Sequence, residues 1–159
     1  MDSEKKNKHR KISIILFAAY SCVLIYFLFF AENLGRVTPR EYSFNVILFR
    51  EITRYLTGAD VFSPGTIFLN LAGNIIAFVP FGFFITPVLN GRTGFKEAVM
   101  LSFDVSLLVE LIQLVTRVGS FDVDDLLLNT LGGLIGASVF FIRRKIVEKG
   151  AVTGGETQI

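Results

Sequence analysis

Four long apolar runs alternate with short polar connections along this chain, and the polar exceptions inside those runs recur at helical spacing. The first run, Ile12 to Phe30, carries no charged residue. The second extends from about Ile67 to Leu89, the third from about Ala98 to Val118, and the fourth from about Asp125 to Ile142. About 20 predominantly apolar residues suffice to cross the hydrocarbon core as a helix. The pattern therefore predicts an all-α integral membrane fold with four transmembrane helices in one domain, residues 12–147, between a basic tail (1–11) and a disordered tail (148–159). Between the first two runs, Phe44, Ile47, Leu48, Ile52 and Tyr55 recur near helical spacing while Arg40, Arg50 and Arg54 fall largely elsewhere. This predicts a short amphipathic helix within Thr38–Gly58, lying on the outer membrane surface as a lid or lipid contact, or else a connector packed on the bundle.

Composition agrees with this reading. Hydrophobic residues make up 52% of the 159, and phenylalanine alone supplies 17, a balance unsuited to an ordinary soluble domain. The basic residues set an orientation. Lys5, Lys6, Lys8, Arg10 and Lys11 precede the first run, Arg92 and Lys96 lie between the second and third, and Arg143, Arg144, Lys145 and Lys149 follow the fourth. All three groups share one side in a four-span arrangement, which places both termini in the cytoplasm. The first apolar run exceeds the 7–15 residues of a signal-peptide core, and Phe29-Phe30-Ala31 is a poor cleavage site, so it reads as an uncleaved helix. The lone Cys22 offers neither a disulfide nor a cysteine metal cluster within one chain.

The candidate chemistry lies in the polar exceptions. A charged side chain at the bilayer centre costs roughly 2.5–3.5 kcal/mol on insertion scales, so such residues pair, face the bundle interior or act. On a helical projection Ser102, Ser106, Glu110, Gln113 and Arg117 share a stripe about 80° wide, while Asp104 falls on the opposite side. In the fourth run Asp125 and Asn129 share a face with Gly132 and Gly136, whose size permits close helix approach. Asn70 and Asn74 share a face of the second, before Pro80 and Gly82 invite a kink. By depth these groups converge toward the outer leaflet, beneath a turn containing Asp122 and Asp124. The predicted object is one polar pocket open to the outside, with Arg117 pairing to Asp122 or Asp125. The plain alternative is a hydrogen-bond network that only holds the helices together.

These residues resemble a known pattern. The run Asn70-Leu-Ala-Gly73-Asn74-Ile-Ile-Ala-Phe78-Val-Pro80-Phe-Gly82, then Glu110-Leu-Ile-Gln113 with Arg117, then Phe121-Asp122-Val-Asp124-Asp125-Leu-Leu-Leu-Asn129-Thr-Leu-Gly132-Gly133, is similar to the VanZ-like family of bacterial membrane proteins. Phe44-Asn45-Val-Ile-Leu48-Phe49 resembles a weaker family element in which proline usually stands where Leu48 does. The resemblance implies a multi-pass protein of the bacterial cytoplasmic membrane, associated with resistance to the glycopeptide teicoplanin. It supplies no agreed catalytic assignment.

Three functions fit these features. The first is a non-enzymatic accessory protein whose outward pocket engages a lipid or cell-envelope headgroup, lowering susceptibility to lipoglycopeptides. Its functional cluster is Asn70, Asn74, Glu110, Gln113, Arg117, Asp122, Asp125 and Asn129. Its partners are membrane lipids, a cell-wall precursor lipid or the lipoglycopeptide itself. No cofactor or nucleic acid is expected, and a homo-oligomer is left open. The second is an enzyme acting on such a headgroup, with Glu110, Asp122, Asp124 and Asp125 holding a divalent ion or one raised-pKa carboxylate as base. No nucleophile elbow or phosphate-binding glycine loop supports it. The third, a small transporter, lacks the internal repeat that many such folds carry.

Overall fold

A backbone crossing lipid must satisfy its hydrogen bonds within each segment, and every apolar run adopts the helix this requires. The computed structural model describes residues 3–29, 42–58 and 62–155. In chain order the elements are α1 (Ser3–Phe29), β1 (Phe44–Asn45), α2 (Arg50–Thr57), α3 (Pro64–Val88), α4 (Phe95–Thr116), β2 (Phe121–Asp122) and α5 (Val123–Gly155). Four of the helices are long and apolar enough to cross a bilayer, over Asn7–Phe29, Pro64–Val88, Phe95–Thr116 and Val123–Lys149. Helix α1 starts at Ser3, so the basic stretch is the first turns of a helix. Likewise α5 continues to Gly155, through 148–155, which the sequence pattern assigns to a disordered tail. An Arg144–Glu148 ion pair at i,i+4 spacing (2.8 Å) reinforces that exposed stretch.

Helix α3 is the centre of the bundle, packed on α5, α1 and α4. It begins at Ser63, whose hydroxyl accepts from the Thr66 amide (3.1 Å) with Pro64 at the first helical position. It runs on as a single helix through Pro80 and Pro87. The α3–α5 seam depends on glycine: a Cβ at Gly132 would overlap the Ile75 carbonyl, and one at Gly136 the Val79 carbonyl. The core is Phe78, Phe81, Ile85, Ala98 and Ala137, against which Phe17, Tyr20 and Leu24 of α1 pack. The Tyr20 hydroxyl donates to the Ala77 carbonyl (2.6 Å), tying α1 to α3. The outer helix faces carry exposed Ile15, Leu69, Met100 and Val115, the apolar coat that lipid solvates. Asp104 is exposed among them on α4.

The segment between α1 and α3 departs from the expected Thr38–Gly58 helix. Residues 38–41 lie outside the described residues, and within the described 42–58 the helix is Arg50–Thr57. Before them, Phe44 and Asn45 form a parallel strand pair with Phe121 and Asp122. Phe49 then adopts a left-handed conformation (φ 65°) that no continuing helix allows. Tertiary pairing with β2 overrides the helical spacing of Phe44, Ile47 and Leu48.

Candidate functional site

Helix α3 begins, α4 ends and α5 begins at the same end of the bundle, and the polar residues collect there. Helix α4 stops at Thr116; Arg117 caps it in a left-handed conformation (φ 57°), and the chain turns through Gly119 and Ser120 into β2. Glu110, one and a half turns before that stop and 2% exposed, reaches up to accept from the Asp122 amide (2.9 Å). The Asp122 carboxylate accepts from Asn45 Nδ2 (3.2 Å) and from the Asp124 amide (2.8 Å). Burial pushes the Asp122 carboxyl up from its ordinary value, opposed by those two hydrogen bonds, which favour the charged form.

Asp124 completes the chain of contacts. Its fully buried carboxylate accepts from the backbone amides of Phe49, Glu51 (2.8 Å) and Ile52 (3.2 Å). These are the orphan donors at the start of α2, whose own N-cap residue, Phe49, supplies no side-chain acceptor. A residue of α5 thus caps a helix more than seventy positions earlier in the sequence, with its negative charge at the favourable dipole end. Glu110 holds β2, β2 holds β1, and Asp124 holds α2.

Three further contacts join the spans beneath. Asn74 Nδ2 donates to Asp125 Oδ1, linking α3 to α5. Asn129 Nδ2 donates to Ser106 Oγ (3.0 Å), linking α5 to α4, and Asn129 Oδ1 is buried without a partner among the described residues. Gln113 Nε2 donates to the Leu28 carbonyl (3.0 Å), linking α4 to the end of α1.

A cavity of about 580 Å³ opens at this end. Its floor comprises Asn70, Gln113, Asp122 and Asp125; α2 forms a wall with Arg50, Glu51, Arg54 and Tyr55, and Ser43–Asn45 with Gly119–Ser120 close the sides. The predicted residues therefore divide. Asn70, Gln113, Asp122 and Asp125 line the cavity, whereas Asn74, Glu110 and Asn129 are not among the lining residues and hold neighbouring elements in place. Arg117 differs from expectation. Its guanidinium stands 4.1 Å over the Tyr42 ring, a cation–π contact, rather than pairing with Asp122 or Asp125. The reason is local: as the left-handed cap of α4 it leaves the helical stripe on which its direction was projected.

The arginines of the wall were not singled out as site residues. Arg54 pairs with Glu51 (2.7 Å) and lies over the rings of Tyr55 (5.0 Å) and Phe62 (5.5 Å), which fixes its guanidinium. Arg50 makes no ion pair among the described residues. The i,i+4 spacing of Arg50 and Arg54 is a visible signal of a common cationic face, but nothing in the sequence places a cavity opposite it. Among the described residues no three ligating side chains converge, and the Asp124 carboxylate accepts from α2 amides.

Comparison with known proteins follows the same residues. A family model described as VanZ/LLP1 matches residues 17–144. The chain is similar to "Protein VanZ" of Enterococcus faecium, with 31% identity over 78 residues. That match covers 49% of this chain and 48% of the relative, so the chain spans about half the length of that curated protein. No solved structure matches.

Proposed function

The chain belongs to the VanZ/LLP1 family, and from that premise we propose that it is a multi-pass accessory protein of the bacterial cytoplasmic membrane. Both termini face the cytoplasm, and the cavity opens outward to engage a lipid or cell-envelope headgroup. Occupying that headgroup lowers susceptibility to lipid-anchored glycopeptides such as teicoplanin.

The observation that carries this reading is the cavity itself: about 580 Å³ of polar space, set where three membrane-spanning helices end and walled by two arginines. Cavities of this size suit small ligands. An arginine presents a planar fork of donors matched to phosphate or carboxylate oxygens, so Arg50, which lines the cavity and makes no ion pair among the described residues, contacts an anionic group of the ligand. Asn70 and Gln113 orient uncharged polar groups of the ligand. The basic termini and the Arg92–Lys96 connection support the orientation. Binding is favoured over chemistry because Glu110 and Asp124 are committed to backbone amides.

The test is teicoplanin and vancomycin susceptibility of a susceptible Gram-positive host expressing the chain or Arg50→Gln, with membrane levels compared. Teicoplanin tolerance that rises with the parent and is lost in the equally abundant variant supports the reading. Unchanged susceptibility with the parent well expressed overturns it.

A further inference from the structure

We infer that the lipid-facing side of α4 around Asp104 is a docking surface for another membrane-spanning helix, one that carries a lysine or arginine at the same depth. Asp104 lies in the middle of its span, about 14 Å along the helix from Phe95 and about 18 Å from Thr116 at 1.5 Å per residue. It stands about 14 Å along α4 from Gln113, which lines the cavity. Its side chain is exposed, on the face opposite the buried Ser102, Ser106 and Glu110. One turn away on the same helix are Met100, Leu101, Leu107 and Leu108, so α4 itself supplies no counter-charge. Among the described residues Asp104 makes no hydrogen bond or ion pair.

Ionisable side chains inside membrane spans are costly, and almost all of them pair or face protein. Lysine and arginine can instead snorkel along their long stems. The aspartate carboxyl is bonded directly to Cβ and reaches neither interface, so whatever satisfies it has to come to it at mid-depth. The surroundings suit a helix. Met100, Leu108, Leu111 and Val115 are exposed and share with Asp104 a stripe about 80° wide on a helical projection. Their spacings of four, four, three and four form a seam along which a second helix packs. A single polar position in such a seam fixes the register of the pair. Charge complementarity makes the partner's group cationic, since lysine and arginine offer only donors and a carboxyl pairs most strongly with them. A second copy does not meet that need. No lysine or arginine occurs at 12–29, 64–88, 97–116 or 123–142, and a copy meeting α4 face to face would bring another carboxyl to the same depth.

The experiment reconstitutes the purified full-length protein in phosphatidylcholine vesicles with a synthetic leucine-rich transmembrane peptide that carries one central lysine, or leucine at that position. Association is measured by Förster transfer between labels on protein and peptide. Polar contacts between model membrane helices correspond to about fivefold to thirtyfold in association. The expected result is at least about fivefold stronger association with the lysine peptide. Asp104→Asn, which keeps the shape of the side chain, and Asp104→Leu should each reduce it to the level of the leucine peptide. Equal association of the two peptides, or a lysine preference that survives Asp104→Leu, overturns the inference. Transfer between two labelled copies of the protein alone, lost in Asp104→Leu, overturns the cationic partner in favour of self-association. Because Asp104 faces lipid in a single copy, Asp104→Leu should insert and fold as well as the parent. Loss of both variants from the membrane would show that the carboxyl is needed within one copy, and that too overturns the docking role.

Discussion

Removing the Asp124 carboxylate should release α2 while leaving the membrane bundle intact. Helix α2 has eight residues, and isolated helices shorter than about 12–15 residues are marginal in water. Its N-cap contributes no side-chain bond, so the three amides at Phe49, Glu51 and Ile52 depend on Asp124. Hydrogen bonds to a charged acceptor are each worth about 1.5–3 kcal/mol, and loss of a helix cap costs about 0.5–2 kcal/mol. The three amides are only part-buried and regain water on release, so the net loss falls at the upper end of the capping range and well below the sum of three such bonds. A net loss of roughly 2 kcal/mol corresponds to about 30-fold faster opening-limited exchange. The assay is hydrogen exchange by mass spectrometry of parent and Asp124→Ala in matched detergent. Peptides covering 49–57 should lose protection by about that factor, while peptides within Pro64–Val88 keep theirs. Unchanged protection at 49–52 in a folded variant would refute the trans-cap argument. Loss of protection throughout α3 would show that Asp124 holds the whole bundle.

Other consequences follow from the same geometry. Gly136→Ile should prevent the α3–α5 seam from closing, because even a Cβ there overlaps the Val79 carbonyl; size-exclusion chromatography after mild heating should show loss of monodisperse protein, and a variant as stable as the parent contradicts the packing. Ser106→Ala or Asn129→Leu alone should each destabilise the bundle by about 1–3 kcal/mol by orphaning the other polar group, whereas the double variant should recover most of that loss; an additive double variant would sink the pairing. The Asp122 carboxyl is raised by burial, so the proton is bound more tightly in the folded state than in the unfolded one. Its contribution to stability is full below the ordinary aspartate value of about 3.9 and declines as pH rises through the elevated folded value. The β1–β2 contact should accordingly tighten on mild acidification from neutral, an effect that Asp122→Asn removes. Intrinsic-rate-corrected exchange at Asn45 and Asp122 checks both, and the same pH dependence persisting in Asp122→Asn would refute the assignment.

The membrane spans were legible because lipid imposes a simple rule, helical hydrogen bonding behind an apolar coat, and Ile15, Leu69 and Val115 obey it. The convergence of Asn74 with Asp125 was also legible, since the helix period and the depth of each residue bring them to one end of the bundle. The stripe on α4 was informative up to the point where the helix stops: Ser102, Ser106 and Glu110 are buried, but Arg117 has left helical geometry and points elsewhere. What could not be read was the segment outside the spans. The parallel pairing of Phe44 and Asn45 with Phe121 and Asp122 and the Asp124 cap on α2 join residues more than seventy positions apart, and the backbone groups on the β1 and α2 side carry no residue-specific signature. Hydrophobic spacing at Phe44, Ile47 and Leu48 suggested helix because nothing local announced a strand. The cavity wall was missed for that reason: without the position of α2, Arg50 and Arg54 have no neighbours to face.

The most direct test of the account places a single thiol in the cavity. Ser120 lines it, and Ser120→Cys in a Cys22→Ser background leaves one reactive site. Cells expressing that variant would be treated with a bulky membrane-impermeant thiol reagent and their teicoplanin susceptibility measured before and after. The account predicts labelling of intact cells together with loss of the protein-dependent tolerance. Labelling only after the membrane is opened, or full labelling with tolerance unchanged, would contradict an outward-facing functional cavity.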